Sequence, residues 1–223
     1  MTASPDTATD TRDMLVVHDS IRRQFGAAPS LVRGVPPGDT DRAALVADHL
    51  DLLGALLHHH HVGEDRLLWP VLQPRVPADV AATVERMESQ HDGIAEVQGS
   101  VTAALAAWRA GAGEDERATL AAALEGLLAR VTEHLAAEEQ HILPLAAAHM
   151  TPAEWQRLGE DGIGSLPRKK LPLVFGMLMY RADPEVIREM LSHAPLLPRL
   201  LMPHLAPRVH ARYAQRLYGT KTP

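Results

Sequence analysis

The chain has 223 residues, a net charge of −6 and no cysteine. That length allows one sizeable core or a domain with an extension, and the missing thiols exclude disulfides and thiolate metal sites. Alanine and leucine dominate, aromatic residues make up only 4%, and long 3.6-residue stripes recur, so an all-α fold is expected.

The opening MTASPDTATDTRD lacks the basic and apolar regions of a signal peptide. Residues 1–10 are rich in Thr, Asp, Ser and Pro and are expected to be disordered. A first helix is predicted from Asp10 to Phe25, with Met14, Val17, His18, Ile21 and Phe25 on one face. The Gly- and Pro-rich loop GAAPSLVRGVPPGD follows, and Asp39 or Thr40 caps a second helix. That helix carries Leu45, His49, Leu52, Leu53, Leu56, His60, Glu64 and Leu67 on one stripe and ends around Pro70.

A third helix, over 78–110, buries Val80, Val84, Met87, His91, Ile94, Val101 and Leu105, and Gly111 and Gly113 end it. The fourth runs from Glu114 to Met150, with Pro144 bending its last turns. Its stripe holds Leu120, Leu124, Leu127, Val131, His134, Glu138, Ile142 and Leu145. Four such helices describe an up-down-up-down bundle over residues 11–150.

Thr151-Pro152-Ala153-Glu154 reads as a capping box opening a short helix to Leu158. The remainder of the extension, 151–223, is Pro-rich and basic: residues 165–223 hold ten Lys/Arg and three Asp/Glu, net +7, leaving −13 for the rest. Several short helices are expected over 165–219. The basic tail either packs on the acidic body or meets an acidic partner or surface. Leu196 to Leu205 is apolar with basic flanks, as in membrane-surface helices; prolines breaking the amphipathic face favour simple packing. No stretch is long and apolar enough to span a bilayer, and a cytoplasmic location is expected.

The chemistry lies in a repeat. His18-Asp19-Ser20-Ile21 matches His91-Asp92-Gly93-Ile94, and His60, Glu64, Asp65 and Pro70 match His134, Glu138, Glu139 and Pro144. Each half reads HDxI on one helix and HxxxE[DE] with a downstream proline on the next. The i, i+4 spacing of His60/Glu64 and His134/Glu138 puts each pair on one helix face, where burial is costly unless a cation holds the groups. Four imidazoles and two carboxylates form a donor set for two metal ions, and imidazole with carboxylate suits iron, manganese, zinc or copper.

These motifs resemble the hemerythrin-like, HHE cation-binding family over residues 11–150. The resemblance carries over His18, His60, Glu64, His91, His134 and Glu138 as metal ligands. It implies a four-helix bundle with two iron ions in an oxo- or hydroxo-bridged, non-haem diiron centre, and O2, peroxide or nitric oxide as small ligands. The ending YAQRLYGT resembles C-terminal extensions of actinobacterial members.

Oxygen-carrying members of that family use a fifth histidine on the third helix, where this chain has Met87 and Ala95. They also place an aspartate five residues after the last histidine, where this chain has Glu138 at four. The departures favour hydrogen peroxide decomposition, in a catalase-like or peroxidase-like reaction, over reversible O2 storage. The alternative is a non-catalytic protein that binds or senses O2, nitric oxide or iron. A further ligand is sought in His61 or a residue of the tail, while His141, Glu139, Asp65 and Met87 are candidates for supporting positions. A ferritin-like set would use the Glu-x-x-His pairs Glu88/His91 and Glu138/His141, but the first helix has no glutamate and His18 goes unexplained. No nucleic-acid reading motif accompanies the basic tail.

Overall fold

The structure, a computed structural model, describes residues 8–223 apart from the side chains of residues 78, 79 and 81. The disorder expected for residues 1–10 therefore falls largely outside the described residues. Thr9, within them, is buried and fixed: its N–H donates to the Ala147 carbonyl at 3.0 Å and its hydroxyl to the Met150 carbonyl at 2.7 Å.

Helix α1 spans Arg12–Arg33, longer than the predicted Asp10–Phe25. The apolar stripe does not stop at Phe25: Ala28 and Val32 follow on the same face, both fully buried. Their burial offsets the single backbone donor that Pro29 removes, so the expected loop from Gly26 shrinks to residues 34–39.

Helix α2 (Thr40–Leu67) is capped by the Asp39 carboxylate, which accepts from the Arg42 N–H at 3.0 Å. Its buried arc is wider than the predicted stripe. Val46, Leu50, Leu57 and His61 are buried beside His49, Leu53 and Glu64, the His60 side chain is only 9% exposed, and Leu45, Leu56 and Leu67 are half-buried. Short α3 (Trp69–Leu72) and a 3-10 turn over Gln73–Arg75 lead into α4 (Ala78–Gly111).

The turn after α4 corrects one expectation. Ala112, not a glycine, takes the left-handed conformation (φ 51°), with its N–H on the Trp108 carbonyl at 2.8 Å, while Gly113 precedes the next helix at φ −64°. Helix α5 (Glu114–His141) stops before α6 (Leu143–His149). The breaks α2/α3 and α5/α6 share a cause, since Pro70 and Pro144 each lack the N–H the continuing helix needs. The internal repeat is thus visible in the backbone.

Helices α2, α4 and α5 and the part of α1 from Arg22 on form the all-α bundle, and Leu57, Leu120, Leu124, Val131 and Leu135 are almost completely sealed in its core. The capping box forms as expected: the Glu154 N–H donates to Thr151 Oγ1 at 3.3 Å, and the Thr151 N–H to Glu154 Oε2 at 2.9 Å. Helix α7 continues to Gly164, past the predicted Leu158. Trp155 and Leu158 are buried, Arg66 of α2 pairs with Asp161, and Arg75 Nη2 lies 2.6 Å from Glu154 Oε1.

Packing divides the chain into two units. The first comprises Arg22–Gly162 with the described residues before α1, and the second Arg12–Ile21 with Ile163–Pro223. So α7 goes with the bundle, and the first turns of α1 go with the C-terminal helices.

The second unit adds a 3-10 turn (Arg168–Lys170), α8 (Leu171–Met179), α9 (Pro184–Ser192) and α10 (Leu196–Tyr218). Its core joins Val16 to Phe175, Val186, Ile187, Leu191 and Ala206. Gly176 is required by the close approach of α8 to α10, since a Cβ there would overlap the Ala206 carbonyl and come within 2.6 Å of His210 Cβ.

The several short helices expected over 165–219 are corrected in α10, which runs unbroken for 23 residues through Pro203 and Pro207. Both prolines lie on its exposed side, where the carbonyls they leave without donors are open to solvent. The row Ala206, His210, Ala214 and Leu217 buries the opposite side and holds the helix in place. Among the described residues, no helix is long and apolar enough to cross a membrane.

Candidate metal centre

The breaks at Pro70 and Pro144 follow immediately on the two residues that most need a partner. Glu64 and Glu138, on the last turns of α2 and α5, have no exposed surface. Burying one carboxylate costs several kcal/mol, and two together cost more. Burial pushes the Glu64 carboxyl well above its ordinary range; the adjacent Glu138 carboxyl and then the Asp65 charge push the same way. Such a pair is stable only with protons or a cation between its members.

Imidazoles surround the carboxylates. One group consists of His61, Glu64, His91 and His134, each offering a ligand atom, all within 4.8 Å of one another. His60, Glu64 and Glu138 meet the same criterion around an adjoining space. Glu64 belongs to both: Oε1 lies 3.3 Å from His60 Nε2, and Oε2 lies 3.4 Å from His91 Nε2. Glu138 belongs to the second group, and its Oε2 lies 3.8 Å from His134 Nε2 of the first.

The hydrogen-bond network fixes the tautomers. His91 Nδ1 is 2.6 Å from the Asp65 carboxylate, and His134 Nδ1 is 3.0 Å from the Gln90 side-chain oxygen. Both outer partners are acceptors, so both Nδ1 atoms carry the proton and both Nε2 lone pairs point inward. Those Nε2 atoms face each other at 3.1 Å. Two lone pairs at that distance, beside the Glu64 carboxyl, repel unless a proton or a metal cation lies between them. The donor set therefore fits a metal ion on this chain's own geometry, and nitrogen with oxygen donors suits iron as well as manganese, zinc or copper.

Neighbouring side chains hold the candidate ligands still. Asp65 Oδ1 also accepts from Trp69 Nε1 at 3.0 Å, and Trp69 is buried, which pins the carboxylate that orients His91. His61 stacks on His91, with ring centroids 4.2 Å apart and planes 16° from parallel, and meets His134 edge-on at 5.2 Å. Glu139 pairs with Arg22 at 2.7 Å, tying α5 to α1 one turn after His18, which is itself fully buried. Met87 is buried on α4, one turn before His91, and His141 is exposed at the end of α5.

Among the four consecutive histidines, the repeat singles out His60, yet the structure brings both His60 and His61 to the carboxylates. His61 has no counterpart in the second half of the chain, where Leu135 occupies its matched position. Repeat matching is blind to such a residue. Gln90 was missed as well, although it immediately precedes His91 in the QHDGI motif.

Fold and site together define a four-helix bundle with a buried histidine–carboxylate cation site. The family model described as Hemerythrin HHE cation binding domain matches residues 9–146, and the chain belongs to that family. Neither the curated proteins nor the solved structures compared with the chain give a significant match.

Proposed function

We propose that the bundle holds two iron ions and serves redox chemistry on a small oxygen-derived ligand, hydrogen peroxide above all. The observation that supports this most is the sharing of Glu64 between two adjoining donor groups, one oxygen toward each. His61, His91 and His134 would hold one ion, and His60 with His18 the other, with Glu64 and Glu138 serving both. The case for His18 is its match to His91 in the repeat, its complete burial, and its place one helical turn before Arg22.

When bound, the iron pair supplies electron transfer to and from the ligand. The residues supply the rest. Asp65 and Gln90 hold two imidazoles in one tautomer, and Leu57, Leu68, Leu135 and Ile142, almost fully buried, keep bulk water from the carboxylates. Peroxide disproportionation to water and O2 balances without an outside reductant, so the bundle needs no second substrate site.

A second reading, reversible binding or sensing of O2, nitric oxide or iron, is favoured by His61. It adds an imidazole that compensates for Met87 and Ala95 at the positions where oxygen carriers place a histidine. Adding peroxide to the iron-loaded protein separates the two. Sustained O2 evolution supports catalysis, whereas a reversible spectral change without turnover supports binding.

A further inference from the structure

We propose that the N-terminal half of α10 is a docking face for an anionic lipid surface. Leu196, Leu197, Leu200 and Leu201 are between 57% and 70% exposed, and Leu205 is 43% exposed. They are not scattered. Leu196, Leu200 and His204 make one i, i+4 row, and Leu197, Leu201 and Leu205 make the adjacent one, so the leucines cover one continuous side of the helix for three turns. Met202, Ala206 and His210 occupy the other side, against the core of the second unit. An apolar patch this concentrated is unusual on a free surface and marks an interaction site.

Charge and shape identify the occupant. Beyond Leu205 the same side of α10 carries Arg208, Arg212 and Arg216, an exposed i, i+4, i+8 row, and the helix contains no Asp or Glu. The Arg208 guanidinium is held to the His204 carbonyl at 2.6 Å, at the boundary between leucines and arginines. Leucines that enter acyl chains, followed by arginines at the depth of the phosphates, are the division of labour of an interfacial helix. The face is the convex side of one helix, with flexible side chains and His204 as the one polar group within its two rows. That suits a fluid surface better than a shaped protein pocket. The surrounding C-terminal segment, with ten Lys/Arg against three Asp/Glu over residues 165–223, adds attraction of the same sign. None of these residues belongs to the candidate metal centre.

The test is flotation of the full chain with vesicles of phosphatidylglycerol and phosphatidylcholine, compared with phosphatidylcholine alone. The chain is expected to float with the anionic vesicles and to be weakened by added salt. Leu200→Glu with Leu201→Glu removes two leucines from the apolar phase and should lower the affinity about 100-fold. Each of Arg208→Ala, Arg212→Ala and Arg216→Ala should lower it about fivefold. All these side chains are exposed, so circular dichroism should show the helix content unchanged. Failure to float with anionic vesicles at low salt, or flotation indifferent to the double leucine substitution, overturns the proposal. So does self-association, seen by sedimentation without vesicle binding and abolished by the double substitution; the face then belongs to a second copy of the chain.

Discussion

Removing the Asp65 carboxylate should weaken metal binding without unfolding the bundle. Asp65 Oδ1 lies 2.6 Å from His91 Nδ1 and 3.0 Å from Trp69 Nε1, so Asp65→Ala deletes both bonds at once. A hydrogen bond to a charged acceptor contributes about 1.5–3 kcal/mol, and loss of a carboxylate behind a ligating histidine lowers metal affinity about 10–100-fold. The Asp65 side chain is 42% exposed, so water partly replaces it. The lower end, about tenfold, is therefore expected. Asp65→Asn keeps an acceptor oxygen and should lose only about threefold, because the charge alone is removed. Competition against a chelator measures the affinity, and circular dichroism confirms the fold. Binding by Asp65→Ala within twofold of the unsubstituted chain would refute the role given to this carboxylate.

Other consequences are as direct. Glu64→Gln should abolish most metal loading and yet stabilise the metal-free protein in denaturant titration at neutral pH, since it replaces a buried carboxyl that must take up a proton on folding with a neutral amide. Glu154 is held at about 2, first by its bond to Arg75 and then by the Thr151 backbone. Its folded value lies below the ordinary carboxylate value of 4.5, so its stabilisation is complete above about pH 4.5 and lost as pH falls through about 2. Wild type and Glu154→Gln should differ in stability at pH 6 and converge near pH 2. Gly176→Val forces a side chain against the Ala206 carbonyl and should cost the second unit about 2 kcal/mol or more by chemical denaturation.

Much of the bundle is legible in the residues because its signals are local and doubled. The capping box at Thr151 and Glu154, the helix breaks at Pro70 and Pro144, and the HxxxE pairs each follow from spacings of a few residues. The four-helix fold follows from four long stripes. Where expectation fails, a longer-range force overrides a local one. Pro29, Pro203 and Pro207 read as breakers, but burial of Ala28, Val32 and the Ala206–His210–Ala214 row carries each helix past them. The left-handed turn falls on Ala112 although glycines flank it. At the site, the repeat reveals His60, Glu64, His91, His134 and Glu138. His61 escapes it because only the three-dimensional meeting of α2 with α4 and α5 shows which member of a histidine run stacks on His91. Gln90 is equally hidden, since its target lies 44 residues away in sequence, whereas Asp65 stands beside Glu64 in the repeat and its orienting role is borne out by its bond to His91.

The central claim is a pair of metal ions held by two donor groups that share Glu64. Metal analysis of protein purified without chelator, repeated on His60→Ala and His91→Ala, tests it most directly. The account predicts two iron ions per chain, with each substitution lowering the content. One zinc ion per chain, no metal, or full iron loading in both variants would contradict it.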